Sequence, residues 1–226
     1  MRFATYNIHG CVGTDARFDP HRIAKTLQAL DADVIALQEV EASRFGGDDV
    51  LAFLASRTGM TALAGMTLKR GDADYGNALL TRLPVDAMER IDLSVKGCEP
   101  RGLIDVRLRH RDGPVQVLAT HLGLRAAERR AQLDLLLAQL GRDPAPSTVL
   151  LGDFNEWWPW SNTLRRLRAR FPYCHAPPTF PTRFPLLCLD RIWLSAGDRP
   201  QRVGRERGRT ARKASDHLPV WIELDW

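Results

Sequence analysis

Apolar runs of strand length alternate with amphipathic stretches of helix length along these 226 residues, and polar residues gather where the apolar runs stop. That alternation predicts an α/β protein, and strand ends are where open α/β sheets carry their sites. Composition agrees: hydrophobic residues make up 44% of the chain and charged residues 26%, enough to fill a sizeable core and too balanced for a disordered or fibrous class.

The elements follow in order. A first strand is expected over residues 2–8. Asp19 as N-cap and Pro20 at the first helical position then open a helix with Ile23, Leu27 and Leu30 on one face. Val34-Ile35-Ala36-Leu37 reads as a strand ending in Gln38-Glu39, followed by a short helix over 51–57. Strands are expected near 78–80, 103–108 and 115–120, with Asp112-Gly113 as a hairpin turn between the last two. Leu133, Leu136, Leu137 and Leu140 give a helical stripe over 125–140, ended by Gly141. A buried strand at 148–151, a short helix over 161–170 and strands at 191–194 and 219–224 complete the chain. No linker or fixed-period repeat divides it, so one domain spanning 1–226 is expected.

Several classes are excluded or disfavoured. No apolar run is long enough to cross a membrane as a helix, and the N-terminal residues lack a signal-peptide pattern, so the expected location is cytoplasmic. Cys11, Cys98, Cys174 and Cys188 are widely spaced, with no pattern suited to zinc, and are expected to be reduced thiols. The net charge of +5 asks for an anionic partner, yet seven basic residues and one acid fall within 199–213, and the remainder carries 25 basic and 26 acidic residues. If the chain runs away from the site after Asp190 at about 3.3 Å per residue, Arg199 and Arg202 lie about 25 Å from it. Arg205, Arg207 and Arg209 would share one face of a returning strand. Only Arg209, Arg212 and Lys213 could then approach a substrate.

The chemistry sits at the strand ends. Asn7, Glu39, His121, Asp153 and Asn155 follow apolar strands, while Asp190 and Asp216-His217 precede them. Singly, each has a bland use as a turn or cap residue. Together, carboxylates at Glu39, Asp153, Asp190 and Asp216 would repel one another without a cation. The oxygen-rich set favours Mg²⁺ or Mn²⁺ over zinc. With imidazole and amide donors around it, such an ion suits cleavage of a phosphate ester.

Seven motifs come in order: Thr5-Tyr6-Asn7-Ile8-His9-Gly10, Leu37-Gln38-Glu39-Val40, Tyr75-Gly76-Asn77-Ala78-Leu79-Leu80-Thr81-Arg82, Thr120-His121-Leu122, Gly152-Asp153-Phe154-Asn155, Leu189-Asp190-Arg191-Ile192 and Ser215-Asp216-His217-Leu218-Pro219. The chain thereby resembles the endonuclease/exonuclease/phosphatase superfamily, which includes deoxyribonuclease I. It looks most like small bacterial members of unassigned substrate. The resemblance implies a four-layer sandwich, two face-to-face β-sheets flanked by helices.

It also implies roles. Glu39 would be the principal metal carboxylate, with Asn7 close to the metal and phosphate and Asp216 reaching toward the metal. Asp153 and Asn155 would position the attacking water and contact the phosphoryl group, Asp153 as general base. His217 would donate to a phosphoryl oxygen, with Asp190 orienting its imidazole, and His121 would be a second donor. Asn77 and Arg101 are weaker carry-overs for substrate binding; for Arg101 the other reading is an exposed surface salt bridge. Some nuclease members carry an acid where this chain has His9, which leaves open a second metal position.

The expected activity is a metal-dependent phosphodiesterase using in-line water attack, with a phospholipid headgroup or small phosphodiester as substrate. The near-neutral charge outside 199–213 and the short connections weigh against a duplex-gripping nuclease. A DNA endonuclease or exonuclease is the alternative, and a non-catalytic anion-binding module a distant third. Peripheral contact with anionic lipid and a monomeric state complete the expectations. Trp157, Trp158 and Trp160 are expected to pack beneath their loop, the other reading being an aromatic rim.

Overall fold

The structure, a computed structural model, describes residues 1–42, 49–140, 147–195 and 197–226; Gly141, the expected helix stop, lies outside them. Strands and helices are labelled in chain order. The first sheet holds β1 (Arg2–Asn7), β2 (Val34–Glu41), β3 (Thr61–Arg70), β4 (Ala73–Thr81), β11 (Arg202–Arg205) and β12 (Val220–Glu223) in the order β11-β12-β1-β2-β4-β3. The second holds β5 (Val85–Asp92), β6 (Gly102–His110), β7 (Gly113–His121), β8 (Ser147–Asp153), β9 (Tyr173–His175) and β10 (Asp190–Leu194) in the order β5-β6-β7-β8-β10-β9. The helices are α1 (Pro20–Leu30), α2 (Val50–Thr58), α3 (Ala126–Leu140), α4 (Asn162–Arg170) and the single turn α5 (Ala211–Ala214).

Side chains alternate across each strand, so the uninterrupted run Val34-Ile35-Ala36-Leu37 serves two cores at once. Val34 and Ala36 meet Val117, Ala119, Val149 and Leu151 of the opposite sheet, while Ile35 and Leu37 pack with Ile23, Leu27 and Leu54 of α1 and α2. On the far side, Leu118, Leu150 and Trp193 pack with Leu133 and Leu136 of α3 and Leu164 and Leu167 of α4. The layers are therefore helix, sheet, sheet, helix, the four-layer sandwich that the resemblance implies.

Local signals behave as the sequence dictates. The Asp19 side chain accepts from Arg22 N at the start of α1, and Asp112-Gly113 turns β6 into β7. The four cysteines are free thiols. No helix among the described residues is long and apolar enough to cross a membrane.

The basic segment differs from expectation. β11 does return antiparallel to β12, with Arg202 opposite Glu223 at the end remote from Asn7, but it stops at Arg205. Arg207 and Arg209 therefore share no strand face with Arg205. The Arg205 guanidinium instead donates to the Pro178 carbonyl.

Two parallel pairs fix where the site forms. β1 runs parallel to β2 and β7 parallel to β8, so Asn7, Glu39, His121 and Asp153 all reach the same end of the sandwich. Gly152 lets β7 and β8 close at that point. Its φ is +149°, and a Cβ there would sit 1.9 Å from the Thr120 carbonyl oxygen, a separation no side chain can occupy.

Candidate active site

Two catalytic candidates stand on strained backbone. β2 carries a register shift between Leu37 and Val40, and Glu39 within it has φ +58°. Asn155, just beyond β8, has φ +50°. Neither is glycine, and left-handed conformations at such residues persist only where surrounding contacts hold them, as happens at functional sites. The bulge interrupts the strand alternation and leaves the Glu39 side chain half-buried at the site.

Asn7 ties the two sheets together. Its Nδ2 donates to Glu39 Oε1 at 3.0 Å and to Asp153 Oδ2 at 3.1 Å, while its Oδ1 accepts from His9 N. Asp153 is fully enclosed, with Oδ1 accepting from the Asn155 backbone N–H at 2.9 Å. Its Oδ2 lies 3.8 Å from His217 Nε2 and 3.6 Å from His121 Nε2. One carboxylate oxygen thus has an amide and two imidazoles around it.

Each imidazole is held from behind. Asp190, directly opposite Asp153 in the β8–β10 ladder, bonds His217 Nδ1 through its Oδ2 at 2.8 Å. Burial alone would lower the His217 pKa; the Asp190 charge and hydrogen bond, with Asp153 and Asp216 nearby, push it up to about 10. His121 goes the other way. Burial and the Arg101 guanidinium, 3.2 Å from Nδ1, hold it down to about 3, so this ring is neutral. Donor groups approach the ring from both sides, the Arg101 guanidinium at Nδ1 and the Asn155 side-chain amide 3.0 Å from Nε2.

Arg101 is buried beside His121 and pairs with Glu99 at 2.9 Å, so it is not the exposed surface ion pair of the simpler reading. Asn77 is buried on β4, its Nδ2 3.4 Å from the Gly102 carbonyl. Asp216 is partly exposed, its Oδ1 3.3 Å from Ser215 Oγ and 3.9 Å from His9 Nδ1. Ser215 Oγ in turn donates to the Asn7 carbonyl, fixing the Asp216-His217 turn to the end of β1.

Three contacts escape the sequence reading. The Thr179 hydroxyl donates to Asp190 Oδ2, and the Phe180 ring lies 4.9 Å from the His217 ring. Arg129 on α3 pairs with Glu156 through two bonds of 3.2 Å, both side chains almost fully buried. A lone Thr-Phe-Pro or a helical arginine has no local pattern that announces a partner 11 or 27 residues away.

The expected packing of Trp157, Trp158 and Trp160 beneath their loop is corrected. All three are more than half exposed. The buried Glu156 side chain, paired with Arg129, is what anchors this loop, accepting from Trp158 N.

The donor set fits a divalent cation. Glu39 and Asp216 offer carboxylate oxygens that are partly exposed, and oxygen donors suit hard ions. Asp153, Asp190 and His217 also have ligand atoms within 4.8 Å of one another, but the Nδ1 of His217 is already committed to Asp190. That trio is better described as a hydrogen-bonded proton-holding set.

The fold and its cleft define a class, the superfamily hydrolases of phosphate esters. More particularly, the chain belongs to the endonuclease/exonuclease/phosphatase family, whose model matches residues 4–217. It is 32% identical to the uncharacterized protein YbhP of Escherichia coli strain K12 over 99% of this chain and 96% of that one. Its structure is similar to that of an endonuclease/exonuclease/phosphatase from Beutenbergia cavernae, with TM-score 0.83 and 25% identity over 99% of this chain and 71% of the other. A mannosyl-6-phosphatase of Bacteroides thetaiotaomicron shares the fold at TM-score 0.73 and 17% identity, with both chains fully covered.

Proposed function

We propose that the protein is a divalent-metal-dependent phosphodiesterase that acts on a phospholipid headgroup or another small phosphodiester. The observation that carries this reading is Asp153, an enclosed carboxylate whose Oδ2 is faced by Asn7 and by both imidazoles.

In this reading Asp153 accepts a proton from a water that attacks phosphorus, while the bond from phosphorus to the ester oxygen breaks on the opposite side. His217 Nε2, oriented by Asp190, donates to a phosphoryl oxygen. His121 and Asn155, in contact with each other at 3.0 Å, line the same side of the cleft, and Arg101 adds charge behind His121. Donors fixed in advance around the developing charge are worth most in such a water-poor cleft. Glu39 and Asp216 would hold the cation, with Asn7 positioning Glu39. Bound there, Mg²⁺ or Mn²⁺ supplies charge neutralisation at the phosphate and leaving oxygens.

A substrate panel tests the class. With Mn²⁺ present, the wild-type protein is expected to release headgroups from phospholipid at a rate well above its nicking of plain or abasic duplex DNA. Robust DNA nicking that disappears in Asp153→Asn would overturn the preference and make the protein a nuclease.

A further inference from the structure

Eight large hydrophobic side chains are exposed among the described residues, and six of them, Leu124, Trp157, Trp158, Trp160, Phe184 and Leu186, stand on three loops. Leu124 follows β7, the tryptophans follow β8, and Phe184 and Leu186 precede β10. Those strands are consecutive in the second sheet, with His121 opposite Asp153 and Asp153 opposite Asp190. All six residues therefore rise from the catalytic end of the sandwich. They are 55–77% exposed. Single exposed hydrophobics need no explanation, but a set gathered at one end of the sandwich does.

The loops are firmly built. Arg129 donates to the carbonyls of Gly123 and Leu124 and pairs with Glu156, which also accepts from Trp158 N. Arg191 donates to the Glu156 carbonyl. One buried ion pair thus pins two of the three loops. Phe180, its ring packed at a tilt 4.9 Å from that of His217, anchors the third. Trp157 and Leu186 line one cleft of about 490 Å³, together with Arg168 and Arg191. The Trp158 and Trp160 rings stand 5.5 Å apart.

Charge completes the picture. Residues 157–189 contain five arginines and no aspartate or glutamate. Arg125 follows Leu124 directly, Arg183 precedes Phe184, and Arg168 donates to the Pro159 carbonyl; all three are exposed. We propose that this rim docks the protein on an anionic lipid membrane, its apolar side chains entering the boundary between headgroups and acyl chains. The arginines keep their guanidinium groups at the phosphates while their stems lie along the apolar surface. Single-stranded nucleic acid would also stack on indoles, but Leu124 and Leu186 offer no planar face to a base. Tryptophan, phenylalanine, leucine and arginine together are the composition of a membrane interface. The inference deepens the phosphodiesterase reading and rests on it for the reaction, since docking would bring headgroup phosphodiesters to Asp153 and His217.

The test measures binding in EDTA, where no turnover is expected, so failure to bind and failure to hydrolyse are separate results. Wild-type protein is mixed with vesicles of phosphatidylcholine alone or of phosphatidylcholine with phosphatidylglycerol, and read by cosedimentation and tryptophan emission. Partition is expected to be at least about tenfold stronger on the anionic vesicles, with a blue shift in emission. The triple variant Trp160→Ser, Phe184→Ser, Leu186→Ser should lose about tenfold or more of that partition while keeping the wild-type melting temperature. Arg125→Gln with Arg168→Gln and Arg183→Gln should abolish the preference for anionic vesicles. Wild-type partition no better than that of the apolar triple variant would overturn the proposal. So would tight binding of a single-stranded oligonucleotide with none to vesicles.

Discussion

Asp153→Asn is expected to lower kcat for phosphodiester hydrolysis by about 10²- to 10⁴-fold with little change in KM. Asparagine has nearly the shape of aspartate, so the enclosed position is filled and Oδ1 still accepts from Asn155 N. What changes is the other atom. An amide nitrogen there would face Asn7 Nδ2 at 3.1 Å and His217 Nε2 at 3.8 Å, so donors would meet donors and no group would remain to take a proton from water. Steady-state kinetics with a melting curve checks this. A variant with wild-type kcat would remove Asp153 from the chemistry.

The second large effect is on stability. Arg129→Met is expected to destabilise the protein by about 3–5 kcal/mol, because it leaves the Glu156 carboxylate buried without its cation. Glu156→Gln should do the same from the other side. The pair also holds the carbonyls of Gly123 and Leu124 and the Trp158 N–H, so each single change loosens two loops at the site. Arg129→Met combined with Glu156→Leu should lose less than the sum, since no unpaired charge is then enclosed. Urea unfolding of the three variants measures it. Single variants within about 1 kcal/mol of wild type would show that water reaches the pair.

Interior strands and long helices were legible in the sequence because each buries residues on both faces or along a full stripe. β1, β2, β8 and β10 read as apolar runs, and α1 and α3 as periodic ones. β3, β5 and β9 were not anticipated and β11 only as a returning strand running on past Arg205; the four are the edges of the two sheets. An edge strand has one neighbour and much exposed surface, as the largely exposed β5 shows, so its sequence need not alternate. α5 is a single turn with no periodicity to read.

At the site, the motif residues come together because they share strand ends, which sequence can show. Their supports could not be read. Thr179 acts on Asp190 and Arg101 on His121 through contacts made only in three dimensions. The left-handed backbone at Glu39 and Asn155 is likewise invisible in residue types that more often adopt other conformations. The tryptophans went the opposite way from expectation for a related reason. Burial is the average fate of an indole, and the loop is instead anchored by the Arg129–Glu156 pair, a contact made only in three dimensions.

The most direct test of the account is the initial rate on bis-p-nitrophenyl phosphate for wild type, Glu39→Ala and His217→Ala, each with Mg²⁺ or Mn²⁺ and again with EDTA. The account predicts turnover by the wild type that needs the metal, and losses of about 10²-fold or more in both variants, measured below the melting temperature of each, which His217→Ala is expected to lower by leaving Asp190 buried without its partner. Turnover that survives EDTA, or equal rates in all three proteins, would contradict it.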